Sequence, residues 1–380
     1  MIKGAEMAKN ITLAEFTSKC YQCGICSGIC PKARVKPGFL PRKIVHENIT
    51  GFSSRAISSG AGWDCLTCGL CENKCPMKVE FLDMLLSMRK EMSNGAGITC
   101  KLAHENFFGS SFYNIMKNEK MKPKRKHMLA KDVKISDSSE VLYFMGCLPY
   151  FDIVFKEDVG FEGMEIANNT IRLLNAVGVE PAVVEEEKCC GHDQLWRGDL
   201  KTFEELGKQG NLDYKTIVTS CPECLRTLAV DYKERLGIAL NVKHISEFLA
   251  DKLKLAPNGK KAKVTFHDSC RLGRYMQIYE QPRELLKLGC ELKEMARNRE
   301  DSICCSISAW VNCDDENKEI RRRKLDEAVA TGAEILVTPC PKCQIHLKCL
   351  QVDKSEPERK IRIADLSTIL VENLNLTVVR

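Results

Sequence analysis

The chain has 380 residues, 28% of them charged, and a formal net charge of +6. That length allows two or three domains, each able to bury its own core, and the mild charge, with no nucleic-acid motif beside it, argues against a nucleic-acid partner. Its 22 cysteines far exceed what a chain of this size needs for stability, so the thiols serve another purpose.

The N-terminus, MIKGAEMAKNITLAEF, shows no apolar stretch before a small-residue cleavage site, and no segment reaches the roughly 18 apolar residues of a membrane span. The expectation is a soluble, cytoplasmic protein, in which cysteine clusters at fixed spacing are metal ligands rather than disulfides.

Two segments share one spacing. Cys20, Cys23, Cys26 and Cys30 lie in CYQCGICSGICP, and Cys65, Cys68, Cys71 and Cys75 lie in CLTCGLCENKCP. Both follow C-x2-C-x2-C-x3-C-P, the run by which bacterial-type ferredoxins hold a pair of cubane [4Fe–4S] clusters, the fourth cysteine of each run crossing to the other cluster. The sets so implied are Cys20, Cys23, Cys26 with Cys75, and Cys65, Cys68, Cys71 with Cys30. A tight Gly-containing loop lets three thiolates wrap one corner of a cube while backbone N–H groups point at its sulfurs, and Pro31 or Pro76 turns the chain away. Zinc is the rival, since C-x2-C pairs also build four-cysteine zinc sites. Between the runs, PRKIVHENI reads as helical.

A basic stretch follows, with Lys117, Lys120, Lys122, Lys124, Arg125, Lys126, Lys131 and Lys134 around Pro123. Charge-rich and without apolar periodicity, it reads as a solvated linker; a docking patch for an acidic protein or a membrane surface is the alternative.

From Glu140 the chain repeats itself. VLYFM precedes Cys147, then come the pair Cys189 and Cys190 and, after TIVTS, Cys221 and Cys224; KVTFHDS precedes Cys270, then come Cys304 and Cys305 and, after EILVTP, Cys340 and Cys343. Corresponding cysteines stand 123, 115 and 119 residues apart, which marks a duplicated module of about 120 residues. In the first copy GMEIANNTIRLLNAVG has helical periodicity ending at Gly178, and PAVV reads as a strand. Buried β-branched runs alternating with amphipathic helices imply parallel sheets, whose sites lie beyond the carboxyl ends of the strands. Cys147, Cys221, Cys270 and Cys340 fall there.

Adjacent cysteines such as Cys189 and Cys190 bond to each other only with strain, because neighbouring Cα atoms are closer than a disulfide prefers. Five thiols are also one more than the four irons of a cubane take as terminal ligands. The reading is an unusual cluster in which one thiolate bridges two irons. Small buried hydrophobes or a redox disulfide pair are the alternatives.

On these residues, C-x(n)-C-C-G-x(n)-C-x2-C with its second copy, the chain resembles the CCG-domain proteins. Two ferredoxin runs ahead of two such modules resemble the heterodisulfide reductase D subunits, in effect a small ferredoxin subunit (C) joined to the catalytic subunit (B) of the soluble enzyme. The fold expected is multi-domain α+β: a helical ferredoxin-like domain at 1–100, the basic linker at 101–139, and two duplicated α/β CCG modules with parallel strands at 140–256 and 257–380. The resemblance implies a noncubane [4Fe–4S] cluster on each five-cysteine set, which makes these ten cysteines catalytic, and a disulfide of coenzyme M and coenzyme B cleaved between them, as in methanogenesis. The second pair is followed by Ser306 where the first has Gly191. Because Ser and Gly tolerate different dihedrals, the expectation is one noncubane cluster or two.

Splitting a disulfide takes two electrons and two protons, whereas a cubane passes one electron at a time. Two clusters facing one S–S bond reconcile the counts, with the cubanes as the wire. No G-x-G-x-x-G follows a strand, so electrons come from a partner; by resemblance this is a membrane b-type cytochrome subunit or a soluble flavin subunit, and any membrane contact is made through it. An electron-transfer subunit of a glycolate- or lactate-oxidising flavoprotein is the alternative function, and a colourless, zinc-stapled scaffold is a third.

Near the ligands, His192 and His267 read as packing or supporting hydrogen bonds ahead of proton donors. Arg271 and Arg274 read as solvated ahead of substrate anchors, and RRRK, Arg321 to Lys324, as an exposed helix face. Cys100, Cys290, Cys313 and Cys349 match no spacing and read as buried or incidental thiols.

Overall fold

The computed structural model describes residues 13, 15–94, 100, 102–104, 107–118, 121–208, 212–254, 256, 257, 259, 261–311 and 313–375; Lys120 of the basic stretch lies outside them. The first part is helical: Ile25–Ile29, Pro41–Ile49, Ser53–Ser58, Ala61–Asp64, Leu70–Asn73 and Phe81–Asn94. Pro41 opens its helix at the first position, where a missing N–H costs nothing. Ile44 and Val45 on that helix pack with Met84, Leu85 and Met88 of the last one. Gly24 and Gly69 each follow the second cysteine of a run, and φ values of 83° and 72° turn the chain there into a short helix.

Two parallel sheets follow. The first orders β1 (Val141–Phe144), β2 (Thr216–Thr219) and β3 (Val242–His244) as β1-β2-β3, with Val141 opposite Thr216 and Ile217 opposite Val242. The second contains β4 (Ala262–Phe266), β5 (Cys290–Leu292), β6 (Ile335–Thr338) and β7 (Arg362–Asp365) in the order β5-β4-β6-β7. The chain is thus mixed α and β, and the strands of both repeats run parallel. The helix in GMEIANNTIRLLNAVG spans Gly163–Ala176, with Gly178 at φ 78° just beyond it.

PAVV departs from its expectation. Only Ala182 pairs, as a single bridge to Leu142, because the chain then turns to send Glu187 back under β1, where its carboxylate accepts the N–H groups of Met145 and Gly146 at 3.0 and 2.7 Å. The second repeat has a true strand, β5, beside β4.

Helices of the two repeats pack on each other: Gly163–Ala176 against Leu366–Asn373, and Leu148–Val159 against Pro341–Val352. Part of the 101–139 stretch is core, not solvated linker. Phe108 stacks on Trp310 at 4.0 Å and meets Phe151 and Phe155, so one aromatic side chain joins both repeats. Arg125 of the basic run is also buried, because its guanidinium donates to the Gly146 carbonyl at 3.0 Å and to the Glu187 carbonyl at 3.2 Å. Among the described residues, no helix is long and apolar enough to cross a membrane.

Candidate metal centres and the ground between them

Among the cysteines of the two ferredoxin-type runs, Cys26 and Cys71 fall in the short helices Ile25–Ile29 and Leu70–Asn73 and the other six on loops, and the fourth cysteine of each run has neighbours in the other run. One pocket is lined by Cys20, Cys23, Cys26 and Cys75, with Val45 and Phe81 as its apolar wall. Cys30 lies among the second run, since its thiol feels Cys68 and Cys65 and burial pushes it up to about 12; Cys71 in turn feels Cys65, Cys68 and Cys30. Cys71 also borders the first pocket, so the two fourfold groups adjoin. Backbone N–H groups of Gln22 and Thr67 donate to the sulfurs of Cys20 and Cys65, both at 3.4 Å. Cys23 is exposed, whereas Cys65 and Cys68 are buried.

The five cysteines of the first repeat line one pocket with Met145, Leu148, Phe151 and His192. Cys147, Cys221 and Cys224 follow β1 and β2, and the turn at Gly191 presents the pair. The sulfurs form a chain: Cys147 donates to Cys189 at 3.8 Å, Cys189 meets Cys190, Cys190 meets Cys224 and Cys224 meets Cys221. Donation from Cys147 and Cys190 holds the Cys189 thiol far below its ordinary value. The second repeat builds the same chain from Cys270, Cys304, Cys305, Cys343 and Cys340, with Cys305 and Cys343 3.0 Å apart.

These quintets fit a polynuclear iron site. All ten cysteines are free thiols, their sulfurs are in mutual contact, and the backbone makes room: a Cβ on Gly146 would stand 3.1 Å from the Cys224 sulfur. Ser306 does not spoil the fit. It takes φ 67° against 84° for Gly191, and its N–H donates to Cys304 at 3.3 Å as that of Gly191 donates to Cys189 at 3.4 Å. The hydroxyl holds this left-handed turn by donating to the Asn317 carbonyl at 3.1 Å.

Both quintets have neighbouring sulfurs beyond themselves. Cys304 donates to Cys68 of the inner fourfold group, which holds that thiol at about 6 despite burial, with Arg274 helping. Cys340 feels Cys221 across the boundary between the repeats. Each group of sulfurs therefore neighbours the next, from the one with the exposed Cys23 to the first repeat's pocket.

The arginines expected in solvent are buried clamps. Arg271 donates to the Thr67 carbonyl and hydroxyl at 2.5 and 2.9 Å, and Arg274 to the carbonyls of Cys68 at 2.7 Å and Ser302 at 2.8 Å. Fixed donors that match backbone carbonyls of the cysteine loop outweigh hydration here. Arg89, also fully buried, bonds the carbonyls of Gly62, Trp196 and Cys65. In RRRK, Arg321 and Lys324 are buried too, Lys324 against Ser302 and Glu327, so only part of that face is open.

His192 donates to or accepts from Thr227 at 3.1 Å, and its Nε2 lies 3.4 Å from both Arg271 and Glu223. His267 is buried beside Cys305 and Cys343, with its ring close enough to interact with the Cys305 thiol. Among the four leftover thiols Cys290 is buried and Cys100 and Cys349 are half-buried, but Cys313 is exposed.

Sequence reasoning passed over Lys342, Glu223 and Asp193. Lys342 Nζ sits 2.6 Å from Glu223 and also pairs with Asp193, all three buried. These carboxylates hold the ammonium well above its usual value against the pull of burial. The signal was in the motifs: CPEC and CPKC carry opposite charges at the same position, and those positions meet.

The 4Fe-4S dicluster domain family matches residues 16–79, and the cysteine-rich domain family, CCG, matches 141–229 and 264–348. The chain is 29% identical to the D subunit of the dihydromethanophenazine:CoB–CoM heterodisulfide reductase of Methanosarcina mazei, over 89% of this chain and 90% of that one. It is 27% identical to the corresponding protein of Methanosarcina barkeri, over 97% of both chains. It is also 27% identical to the EtfAB:quinone oxidoreductase of Syntrophomonas wolfei, over 83% of this chain and 46% of that protein.

Proposed function

From the premise that the chain is an iron–sulfur oxidoreductase of the CCG family, with a dicluster domain and two cysteine-rich domains in the manner of heterodisulfide reductase D subunits, we propose that it is the catalytic subunit of such a reductase. Its reaction is the two-electron cleavage of a mixed disulfide of the coenzyme M and coenzyme B type to two thiols. Cys20, Cys23, Cys26 and Cys75 hold one cubane, Cys65, Cys68, Cys71 and Cys30 the other, and each quintet a noncubane cluster. The observation that carries this reading is the pair of matching quintets, one against Cys68 and the two near enough for Cys340 to feel the charge of Cys221.

When bound, the clusters supply single electrons and iron with affinity for sulfur. The chain supplies order and charge. Contact between Cys68 and Cys304 would set a cluster held by the second repeat beside the ligands of the inner cubane. Lys342 has three N–H donors, and Asp193 and Glu223 engage it while leaving one for a departing sulfur. Its fixed positive charge favours thiolate over intact disulfide in a dry site. The Leu148 and Phe151 side chains keep water from the first quintet. A partner, a b-type cytochrome in a membrane or a soluble flavin subunit, supplies the electrons near the exposed Cys23.

The test is anaerobic. Reconstituted, dithionite-reduced protein is expected to be reoxidised by the mixed disulfide with no flavoprotein present, releasing two thiols, and Cys189→Ser or Cys304→Ser is expected to abolish this. Full activity in either variant refutes the mechanism. The likeness to the EtfAB:quinone oxidoreductase favours a second reading, an electron-transfer subunit serving a flavoprotein. Reoxidation by an electron-transfer flavoprotein but not by the disulfide would select it.

A further inference from the structure

Cys23 is exposed, whereas Cys20, Cys26 and Cys75 of the same fourfold group are half-buried. Apolar side chains stand open beside it. Tyr21, 59% exposed, is hydrogen-bonded to the Cys23 thiol; Ile25, 40% exposed, lines the same pocket; Met77, also 40% exposed, follows Pro76 of that pocket. Apolar residues exposed together mark an interaction surface, whereas scattered ones do not. Ile25 also opens onto a groove of about 480 Å³ that the dicluster domain shares with the second repeat, with Ile29, Leu70 and Ile303 on its walls. The surrounding charge is positive. Residues 16–79 hold nine basic and three acidic side chains, a net +6 equal to that of the whole chain, so the remainder is neutral in sum. Arg42 lies over Gly24, its Nη1 3.6 Å from where a Cβ there would stand, and donates to Gln22 Oε1. Arg34, on the groove, donates to the Gly28 carbonyl. Both acceptors are uncharged, so neither guanidinium is neutralised by the bond that holds it.

We propose that this face docks an acidic redox protein, whose carboxylates meet Arg34 and Arg42 and whose apolar patch covers Tyr21, Ile25 and Met77. An apolar centre within a charged rim is the anatomy of a protein interface, and opposite charge both steers the encounter and sets its orientation. A partner seated there covers Cys23, the one cysteine of its fourfold group that is open to solvent. An anionic membrane would meet the same charges, but it would cover Cys23 with lipid and close the place where electrons enter. The inference rests on the reading of Cys20, Cys23, Cys26 and Cys75 as the entry cubane, and not on which substrate is reduced.

The experiment titrates oxidised plant-type ferredoxin, an acidic protein, into anaerobic, cluster-loaded protein by isothermal calorimetry. Neither electrons nor a disulfide take part, so a failed docking assay and a failed reductase assay are separate results. Binding is expected to weaken about tenfold or more as salt rises from about 20 to about 300 mM, and cytochrome c, a basic protein, is expected not to bind. Arg34→Glu with Arg42→Glu is expected to weaken binding about tenfold in low salt. Lys201→Glu, exposed on the helix Leu200–Gly207 of the first repeat, is expected to leave it unchanged. Met77→Lys adds positive charge, yet is expected to weaken binding about threefold through the lost apolar contact. Should the double variant disturb the cysteine loop, the salt dependence and Met77→Lys decide. Binding indifferent to salt and to these substitutions overturns the proposal, as does equally tight binding of cytochrome c. It is also overturned if ferredoxin does not bind while phosphatidylserine vesicles capture the protein and Arg34→Glu with Arg42→Glu abolishes that capture.

Discussion

Replacing Gly191 by serine, the residue the second repeat carries at the same place, is expected to destabilise the protein by about 2–5 kcal/mol, in two parts. A side chain at the φ of 84° adopts a left-handed conformation costing about 1–2 kcal/mol. Its Cβ would also stand 2.8 Å from the Phe203 ring, and forcing a packed aromatic aside adds about 1–3 kcal/mol. The reverse exchange, Ser306→Gly, removes a similar left-handed penalty of about 1–2 kcal/mol. It also loses the hydroxyl bond to Asn317, about 0.5–1.5 kcal/mol, and raises the freedom of the unfolded chain by about 0.5–1 kcal/mol. These nearly cancel, so its net effect is within about 1 kcal/mol. Anaerobic guanidinium titration of the cluster-loaded variants, followed by far-ultraviolet circular dichroism, measures both. If Ser306→Gly proved the more damaging, the argument that the second turn is held by its own hydroxyl, and the first by lack of space, would be refuted.

Lys342→Met leaves Asp193 and Glu223 buried without their cation, a change of about 3–5 kcal/mol. Adding Glu223→Met to it is expected to restore part of that loss, and strict additivity in the double-mutant cycle would count against the pairing. Arg274→Leu removes the bonds to Cys68 and Ser302; stopped-flow reduction should show the cubane signals unchanged while those of the quintets lag, and simultaneous reduction would contradict the clamp. Burial drives His244 down to about 4. Since this lies below the unfolded value of about 6.5, the unfolded state binds the extra proton first, and stability falls by about 3 kcal/mol as pH drops from 6.5 to 4, staying flat above 6.5. His244→Gln should flatten that slope, and an unchanged pH profile would acquit the histidine.

Spacing made the thiols legible because a loop that wraps inorganic sulfur fixes how many residues separate its ligands. Strand ends were legible for a similar reason, as VLYF, TIVT and EILVT carry the β-branched, apolar pattern of buried parallel strands. The arginines were not. Arg271 and Arg274 look like solvated charges in their own loop, and only carbonyls about 200 residues away, at Thr67 and Cys68, make them interior. Arg125 and Phe108 were hidden in the same way, since local composition reports a linker while their partners lie in other elements. PAVV had the pattern of a strand but lost its ladder to the demands of Glu187.

The ion pair of Glu223 with Lys342 bears on how such a chain is assembled. In a dimer of identical subunits whatever stands on the symmetry axis faces its own copy, so a carboxylate there would confront a carboxylate. Tethering both halves in one polypeptide lifts that restriction and lets each side of the seam take its own sign. The same divergence means that an isolated first half cannot mate with itself through this seam, as glutamate would oppose glutamate with no lysine to neutralise it.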